Sequence, residues 1–425
     1  MARPLGLHAP AKLLRVAALG AVDDGKSTLI GRLLHDSHQL TEDQIQALEP
    51  KGVEAGPRRL NLSYATDGLR AERQQGITID VAYRYATTEA ARLVIADCPG
   101  HLVYTANMAT GVSTAEVALV VVDVTRGLRE QTRRHLALAI LFGVRRVVVA
   151  VNKMDLVGWS EPAWRATVDQ VEEVVRRLGG AAVTAVPVSA LHGDNVVEFS
   201  REASWYRGVT VMGCLRPTPE RVSSSGARLP VQLVVPGAQE EAWGAGLLSG
   251  GPIALGDPVV VLPKGQVSHV RGLSALGSPV PRALVGRSIQ ILLDDGVALH
   301  RGDMVSEVGR AAAVVVEADT TLCWFDRSPA RPGRRFLIKH TTRFVEAVIS
   351  AVEGRRDLTN MEVRPASEVG MNDIGLVRWE FESPIPLDSY RSNRTTGSFI
   401  AVDSRSGRTL GAAMVASSPA KFPGG

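Results

Sequence analysis

The sequence predicts an α/β P-loop domain followed by two antiparallel β-barrel domains. A phosphate-cradling loop stands between an apolar run and an amphipathic segment near the N-terminus. Buried-type strands then alternate with helical patterns up to about residue 213. Past a stretch rich in proline and serine, the chain breaks into short β-rich segments punctuated by glycine and proline.

The loop is Gly20-Ala21-Val22-Asp23-Asp24-Gly25-Lys26-Ser27, with Thr28 following it. Two glycines bracket four residues and precede lysine and a hydroxyl, the pattern that grips a nucleoside triphosphate. Leu13 to Leu19 reads as a buried strand, and Thr28 to His38 as a helix with apolar spacing at Leu29, Ile30, Leu33 and Leu34. Loop N–H groups and the positive end of the helix dipole then face the phosphates. Lys26 neutralises β and γ oxygens, and Ser27 is a ligand for Mg²⁺.

Four later segments name the base. Asp97-Cys98-Pro99-Gly100-His101 ends the apolar run Leu93 to Ala96, which places Asp97 to hold Mg²⁺ through water and the Gly100 N–H to meet the γ-phosphate. Gly76-Ile77-Thr78-Ile79 precedes an alternating segment ending at Tyr85, and Thr78 is the expected switch-loop ligand of Mg²⁺. Asn152-Lys153-Met154-Asp155 closes the run Val147 to Val151, and a carboxylate at Asp155 accepts two N–H bonds from guanine where adenine presents an acceptor. Ser189-Ala190-Leu191 follows Val183 to Val188, where a backbone N–H reads the guanine carbonyl. Together the five segments specify GTP.

Helices are expected near Leu29 to His38, Glu130 to Phe142 and Ala163 to Leu178, in a mostly parallel sheet covered on both faces. Arg216 to Gly226 reads as a linker. Beyond it, strands are expected at Val231 to Val235, Pro258 to Leu262, Ser288 to Leu293, Ala313 to Glu317, Phe336 to Lys339 and Val345 to Val352, with a seam from Arg301 to Gly309. The expected domains are therefore 12–215, 228–310 and 311–415, with a short polar tail after them.

Composition fits a multidomain protein of 425 residues with a hydrophobic fraction of 45% and a net charge of +4. The arginine pairs at 133–134, 145–146 and 176–177 read as solvated faces, which argues against a nucleic-acid partner. Cys98, Cys214 and Cys323 make neither a metal quartet nor a disulfide framework, consistent with a reducing, cytoplasmic compartment. No run reaches the roughly 18 apolar residues of a membrane span. Arg15 interrupts the first apolar stretch, so no signal-peptide core is expected. His135 and His340 lack metal-like spacing and read as structural, and Cys98 as a small packed side chain.

A P-loop GTPase domain followed by two antiparallel β-barrel domains resembles the translation-factor superfamily, as does His101 directly after the third motif. That resemblance implies that His101 orients the attacking water. Within the superfamily the chain is most similar to the GTPase subunit family of bacterial ATP sulfurylase, sulfate adenylyltransferase subunit 1. The similarity rests on Gly20 to Leu34 with aspartate at position 24, on Thr66 to Arg73 leading into Gly76 to Tyr83, on Gly193 to Val197, and on Asn372 to Gly375 with Asn393 to Ile400. It implies that GTP hydrolysis drives adenylyl transfer from ATP to sulfate on a separate catalytic subunit, giving adenosine 5'-phosphosulfate and pyrophosphate within an obligate heteromer. Only one phosphate loop is present, which argues against a fused adenylylsulfate kinase. The family pattern is departed from at Gln74, where glutamate is common, across Phe199 to Pro217, and in the middle barrel from Leu229 to Gly244. These departures fit a paralogue serving a specialised pathway. Two other classes share the architecture. One is an elongation-factor-like GTPase binding aminoacyl-tRNA and the ribosome, with Arg331, Arg334, Arg335, Lys339 and Arg343 against RNA; the other is a stand-alone regulatory GTPase.

Overall fold

The computed structural model describes residues 12–48, 62, 80–88, 90–101, 104–217, 225–237, 241–294, 296–357 and 362–416. These divide into two compact units, one holding the described residues up to 217 and the other those from 225 onward.

In the first unit the apolar runs form a six-stranded sheet. Its strands are β1 (Lys12–Gly20), β2 (Ala82–Thr87), β3 (Ala91–Asp97), β4 (Val117–Asp123), β5 (Arg146–Asn152) and β6 (Ala182–Pro187), in the order β2-β3-β1-β4-β5-β6. All neighbours run parallel except β2, which pairs antiparallel with β3. β4 is not among the strands expected from sequence, although all seven of its residues are buried, as a central strand covered on both faces requires.

Helices α1 (Lys26–Asp36), α2 (Glu42–Ala47), α3 (Thr105–Ser113), α4 (Glu130–Leu141) and α5 (Glu161–Arg177) complete the described regular structure that matters for the site. The three expected helices are present within one or two residues at most ends, while α2 and α3 were not expected. α5 shows why its start is sharp: the Ser160 hydroxyl accepts the Ala163 N–H, a proline stands in the first turn, and Val168, Val171, Val174 and Val175 supply the buried face. α1 begins differently, because Gly25 caps it in the left-handed region at φ 93. Its Leu29, Ile30, Leu33 and Leu34 pack with Leu14, Val16, Leu93 and Ile95.

The second unit holds two antiparallel sheets, each closed on itself. In the first, strands Arg228–Pro230, Met304–Glu307, Pro258–Leu262, Gln266–Ala275, Ser288–Leu293, Ala242–Leu247 and Leu233–Pro236 follow one another across the sheet. A bridge between Arg228 and Ser249, just past Ala242–Leu247, joins the first of these strands to the last but one. In the second, Arg335–His340, Ser398–Val402, Thr409–Val415, Ala313–Trp324, Ile374–Leu387 and Arg343–Arg356 are neighbours in that order, and pairing of the first with the last closes the barrel. Its core carries Trp324, Phe336, Trp379 and Phe399 in successive edge-to-face contacts at 5.5 Å.

Two expectations are corrected here. Val231 to Val235 is not one strand: the Val231 N–H donates to Asp303 O at 2.8 Å and the Gln232 N–H to Ala245 O at 2.8 Å, so the chain changes neighbours at a corner between Pro230 and Leu233. The Arg301 to Gly309 seam contains the strand Met304–Glu307, which pairs with Pro258–Leu262 and Arg228–Pro230 and puts Val305 into the first barrel's core.

Candidate functional site

The C-terminal ends of β1, β3, β4 and β5 converge on the Gly20 to Ser27 loop. Gly20 ends β1, Asp97 ends β3, Asp123 ends β4 and Asn152 ends β5. This is the crevice at the carboxyl ends of parallel strands where α/β sheets bind ligands.

Asn152 is the hub. Its Nδ2 donates to Asp24 O at 2.8 Å, and its Oδ1 accepts the Ala190 N–H at 2.9 Å. One buried side chain therefore locks the phosphate loop to the Ser189-Ala190-Leu191 segment. The same packing explains Gly25, where a Cβ would run into Asn152 Nδ2. Lys153 stands in the left-handed region at φ 66 and donates to Asp23 O at 2.8 Å and Asp123 Oδ2 at 2.7 Å. Asp123 also accepts from the Thr125 N–H at 2.9 Å and hydroxyl at 2.6 Å. Burial raises the Asp123 carboxyl, but the hydrogen bonds from Lys153 and Thr125 outweigh it and hold it below the ordinary value.

Lys26 and Asp97 form a buried ion pair at the mouth of the loop. Asp97 Oδ2 has no hydrogen-bond partner among the described residues. Gly100 closes over the loop so tightly that a Cβ there would lie 2.9 Å from Gly20 O. Ser27 and Thr28 open α1 directly behind Lys26, and Ala21 donates its N–H to Asp24 Oδ2 at 3.2 Å. Burial pushes the Asp24 carboxyl up to about 6, against the pull of Arg129, the Ala21 N–H and Lys153 and with an added push from Asp123. Asp24 Oδ1 has no hydrogen-bond partner among the described residues.

At the other end Asp155 lies in a single turn of 3-10 helix, Met154–Val157, and His192 Nε2 stands 4.0 Å from its Oδ2. Ser189 is buried, and Gly193 donates its N–H to Ser189 O at 2.8 Å. Arg32 of α1 donates to Ala190 O at 3.2 Å and Leu191 O at 2.5 Å. Because the Ala190 N–H is already engaged by Asn152, the backbone donor expected at Ser189-Ala190-Leu191 is not simply vacant at Ala190. His101 is exposed, with its ring 6.1 Å from that of Tyr104. Thr78 lies outside the described residues, as do Gly76, Ile77 and Ile79.

The structure thus brings Gly20, Ala21, Val22, Asp23, Asp24, Gly25, Lys26, Ser27, Asp97, Gly100, Asn152, Lys153 and Ala190 together. Two residues escape sequence reasoning. Asp123 anchors Lys153, and Arg129 reaches Val22 O at 3.3 Å. The signal for Asp123 was present, as a carboxylate at the end of the apolar run Val117 to Val122.

Other expectations resolve outside the site. Cys98 is fully buried, with its thiol pushed up to about 12 by burial, and a Cβ on Gly111 would meet its sulfur at 2.6 Å, so it fills a tight space. Burial holds His135 down at about 3 and His340 at about 4, leaving both neutral. Arg331, Arg334 and Arg335, offered above as RNA contacts, are paired with Glu368, Asp326 and Glu382. Lys339 lies over the Phe344 ring. No described helix is long and apolar enough to cross a membrane.

Residues 11–212 match the elongation factor Tu GTP binding domain, and residues 317–416 match the GTP-eEF1A C-terminal domain-like family. The chain is 40% identical to sulfate adenylyltransferase subunit 1 of Chromobacterium violaceum, over 97% of this chain and 87% of that protein. It is 42% identical to the bifunctional enzyme CysN/CysC of Mycobacterium tuberculosis, over 95% of this chain and 67% of that one. It is also 42% identical to the bifunctional enzyme NodQ of Rhizobium tropici, over 95% of this chain but only 64% of that one, so it spans about two thirds of these bifunctional relatives. With a GTP-binding domain of this kind and near-full-length identity of this order, the chain belongs to the sulfate adenylyltransferase subunit 1 family.

Proposed function

We propose that this chain is the GTPase subunit of a heteromeric sulfate adenylyltransferase. It hydrolyses GTP so that a separate, catalytic small subunit forms adenosine 5'-phosphosulfate from ATP and sulfate. The observation that carries the reading is Asn152, which ties the phosphate loop to the base-reading segment in a chain of this family. Adenylyl sulfate contains a mixed anhydride whose formation is unfavourable, and every ~1.4 kcal/mol that coupling contributes shifts an equilibrium about tenfold.

Within the site, loop N–H groups from Gly20 to Thr28 hold the phosphates, Lys26 leaves Asp97 to neutralise the β and γ oxygens, and the Gly100 N–H meets the γ-phosphate. Asp155 accepts the guanine N–H groups, with Asn152, Lys153 and Ser189-Ala190-Leu191 shaping the base pocket. His101 orients the attacking water rather than acting as a strong base. A site for Mg²⁺ fits the residues present, because the buried Asp97 Oδ2 has no partner among the described residues; Ser27, Thr78 and Asp97 would hold the ion, which would supply charge neutralisation at the phosphates. The domain bounds 12–215, 228–310 and 311–415 and a cytoplasmic setting belong to the same reading, the latter supported by three free cysteines.

The test is a coupled assay with the catalytic adenylyltransferase subunit, ATP and sulfate. Adenylyl sulfate should accumulate with GTP and stay near background with a non-hydrolysable analogue. Stimulation of hydrolysis by ribosomes, with none by the adenylyltransferase subunit, would overturn the reading. His101→Ala should keep GTP affinity while hydrolysis falls by about 10²-fold or more; parallel loss of both would remove the proposed role.

A further inference from the structure

Among the described residues, exposed apolar side chains gather on one face of the nucleotide unit's sheet at its β2–β3 edge. Strand pairing places side chains of β2, β3 and β1 in rows: Tyr85 with Val94 and Arg15, and Thr87 with Arg92 and Leu13. The alternate residues Ala86, Leu93, Ile95, Leu14 and Val16 point the other way and bury against α1. On the open side α3 covers only the strand ends, where a Cβ on Gly111 would lie 3.4 Å from Ala96 Cβ, and it stops at Ser113. Past that point Tyr85 is 70% exposed, Tyr83 41% and Leu13 39%, and they form a groove with Arg15, Arg92 and Val94.

β2 is an antiparallel edge strand whose face can meet water, but polar side chains ordinarily fill such a face; an aromatic and aliphatic strip in their place marks a contact surface. Tyrosine and arginine are also the residues that anchor protein interfaces. The described side chains lining the groove include two guanidiniums and no carboxylate. That charge selects the occupant. Residues 1–11 contain Arg3 and no acidic residue, and a second copy docked through this same face would set the two arginines against their own copies. A partner bearing carboxylates complements the two lining guanidiniums. β3 joins the groove to the phosphate site: Val94 is three residues before Asp97, about 10 Å along the strand.

We propose that this β1–β2–β3 face is the docking surface for an apolar segment bearing one or two carboxylates on the catalytic adenylyltransferase subunit. The proposal rests on the subunit reading above. A partner seated there presses on the strand that holds Asp97 against Lys26, so that docking and the state of the phosphate site are linked through β3.

The experiment measures binding of the full-length chain to that subunit, and GTP hydrolysis by the chain alone, for the wild type, an Arg15→Glu/Arg92→Glu double variant, Tyr85→Ser, and Arg207→Glu as a remote exposed control. Charge reversal should weaken binding about tenfold or more and flatten its salt dependence. Tyr85→Ser should weaken it about threefold or more, while the chain's own hydrolysis stays within about twofold and Arg207→Glu binds normally. Wild-type affinity in both groove variants would overturn the docking surface while leaving the subunit reading intact. A loss shared equally by Arg207→Glu, or a change only in self-association of the chain, would also overturn it. Failure of the wild type to bind the subunit at all would instead sink the subunit reading on which the proposal stands.

Discussion

Each unit of this chain buries an ion pair, and the two pairs are finished to different degrees. In the barrel unit Arg228 grips Asp388 through two bonds of 2.9 Å, a third Arg228 nitrogen donates to Ala227 O at 3.1 Å, and the Thr396 hydroxyl donates to Asp388 Oδ2 at 2.5 Å. Asn393 extends the network by accepting the Thr396 N–H at 3.3 Å and reaching Ser225 and Ser249. In the nucleotide unit the Lys26–Asp97 pair leaves Asp97 Oδ2 without a partner among the described residues, and nearby Asp24 Oδ1 is in the same condition. Burying a carboxylate oxygen without a partner is costly, so a site that keeps two of them is built to be completed by something else. A saturated network holds two barrels in register; an unsaturated one holds a ligand.

The sharpest way to break that contrast is at the base end. Asp155→Asn removes the acceptor that guanine requires, and preference should swing from guanine to xanthine nucleotides by roughly four orders of magnitude. Competition binding with GTP and XTP checks it, and unchanged GTP affinity would remove Asp155 from the pocket. Thermal stability of the ligand-free chain should hardly move, because Asp155 is partly exposed.

Arg228→Met should do the reverse. It strands Asp388 in a buried position and should cost about 3–5 kcal/mol in the barrel unit, read by denaturant unfolding, with GTP affinity of the folded protein unchanged. Lys26→Ala should lower GTP turnover by about 10²–10³-fold through loss of the phosphate counter-charge, with far less effect on the barrels. Near-normal turnover in that variant would place the triphosphate elsewhere.

What was legible in the sequence follows the same division. The phosphate loop and the strands behind it are contiguous, and a fully buried parallel strand writes itself as an unbroken apolar run, so β1, β3, β5 and β6 were visible. β4 carries the same signal in Val117 to Val122 but ends in no recognised motif, so the anchoring role of Asp123 needed three dimensions. In the barrels, the long strands Ala313–Trp324 and Arg343–Arg356 show only as the fragments Ala313 to Glu317 and Val345 to Val352, which end at the register shifts between Val315 and Glu317 and between Val352 and Gly354. The Arg228–Asp388 pair spans 160 residues, and no local pattern announces it.

The smallest expected effect tests the unfinished network directly. The Asp24 carboxyl sits at about 6 in the folded chain because burial disfavours its charge, against 3.8 when the chain is unfolded. Between those values the folded state keeps a proton that the unfolded state has released, so stability falls as pH rises from about 4 to about 6 and stays lowered above that window. At 1.36 kcal/mol per pH unit the penalty reaches ~3 kcal/mol at neutral pH. Asp24→Asn keeps an oxygen for the Ala21 N–H and carries no charge to bury, so the ligand-free variant should lose this slope and be the more stable protein at pH 7. Hydrogen exchange of β1 and α1 amides across pH 4 to 7 reads the unit that holds Asp24 without interference from the barrels. Parallel slopes for the variant and the wild type would mean that Arg129 and Lys153, the cations facing Asp24, already balance its charge. The unpartnered oxygen would then carry no stability for a ligand to recover.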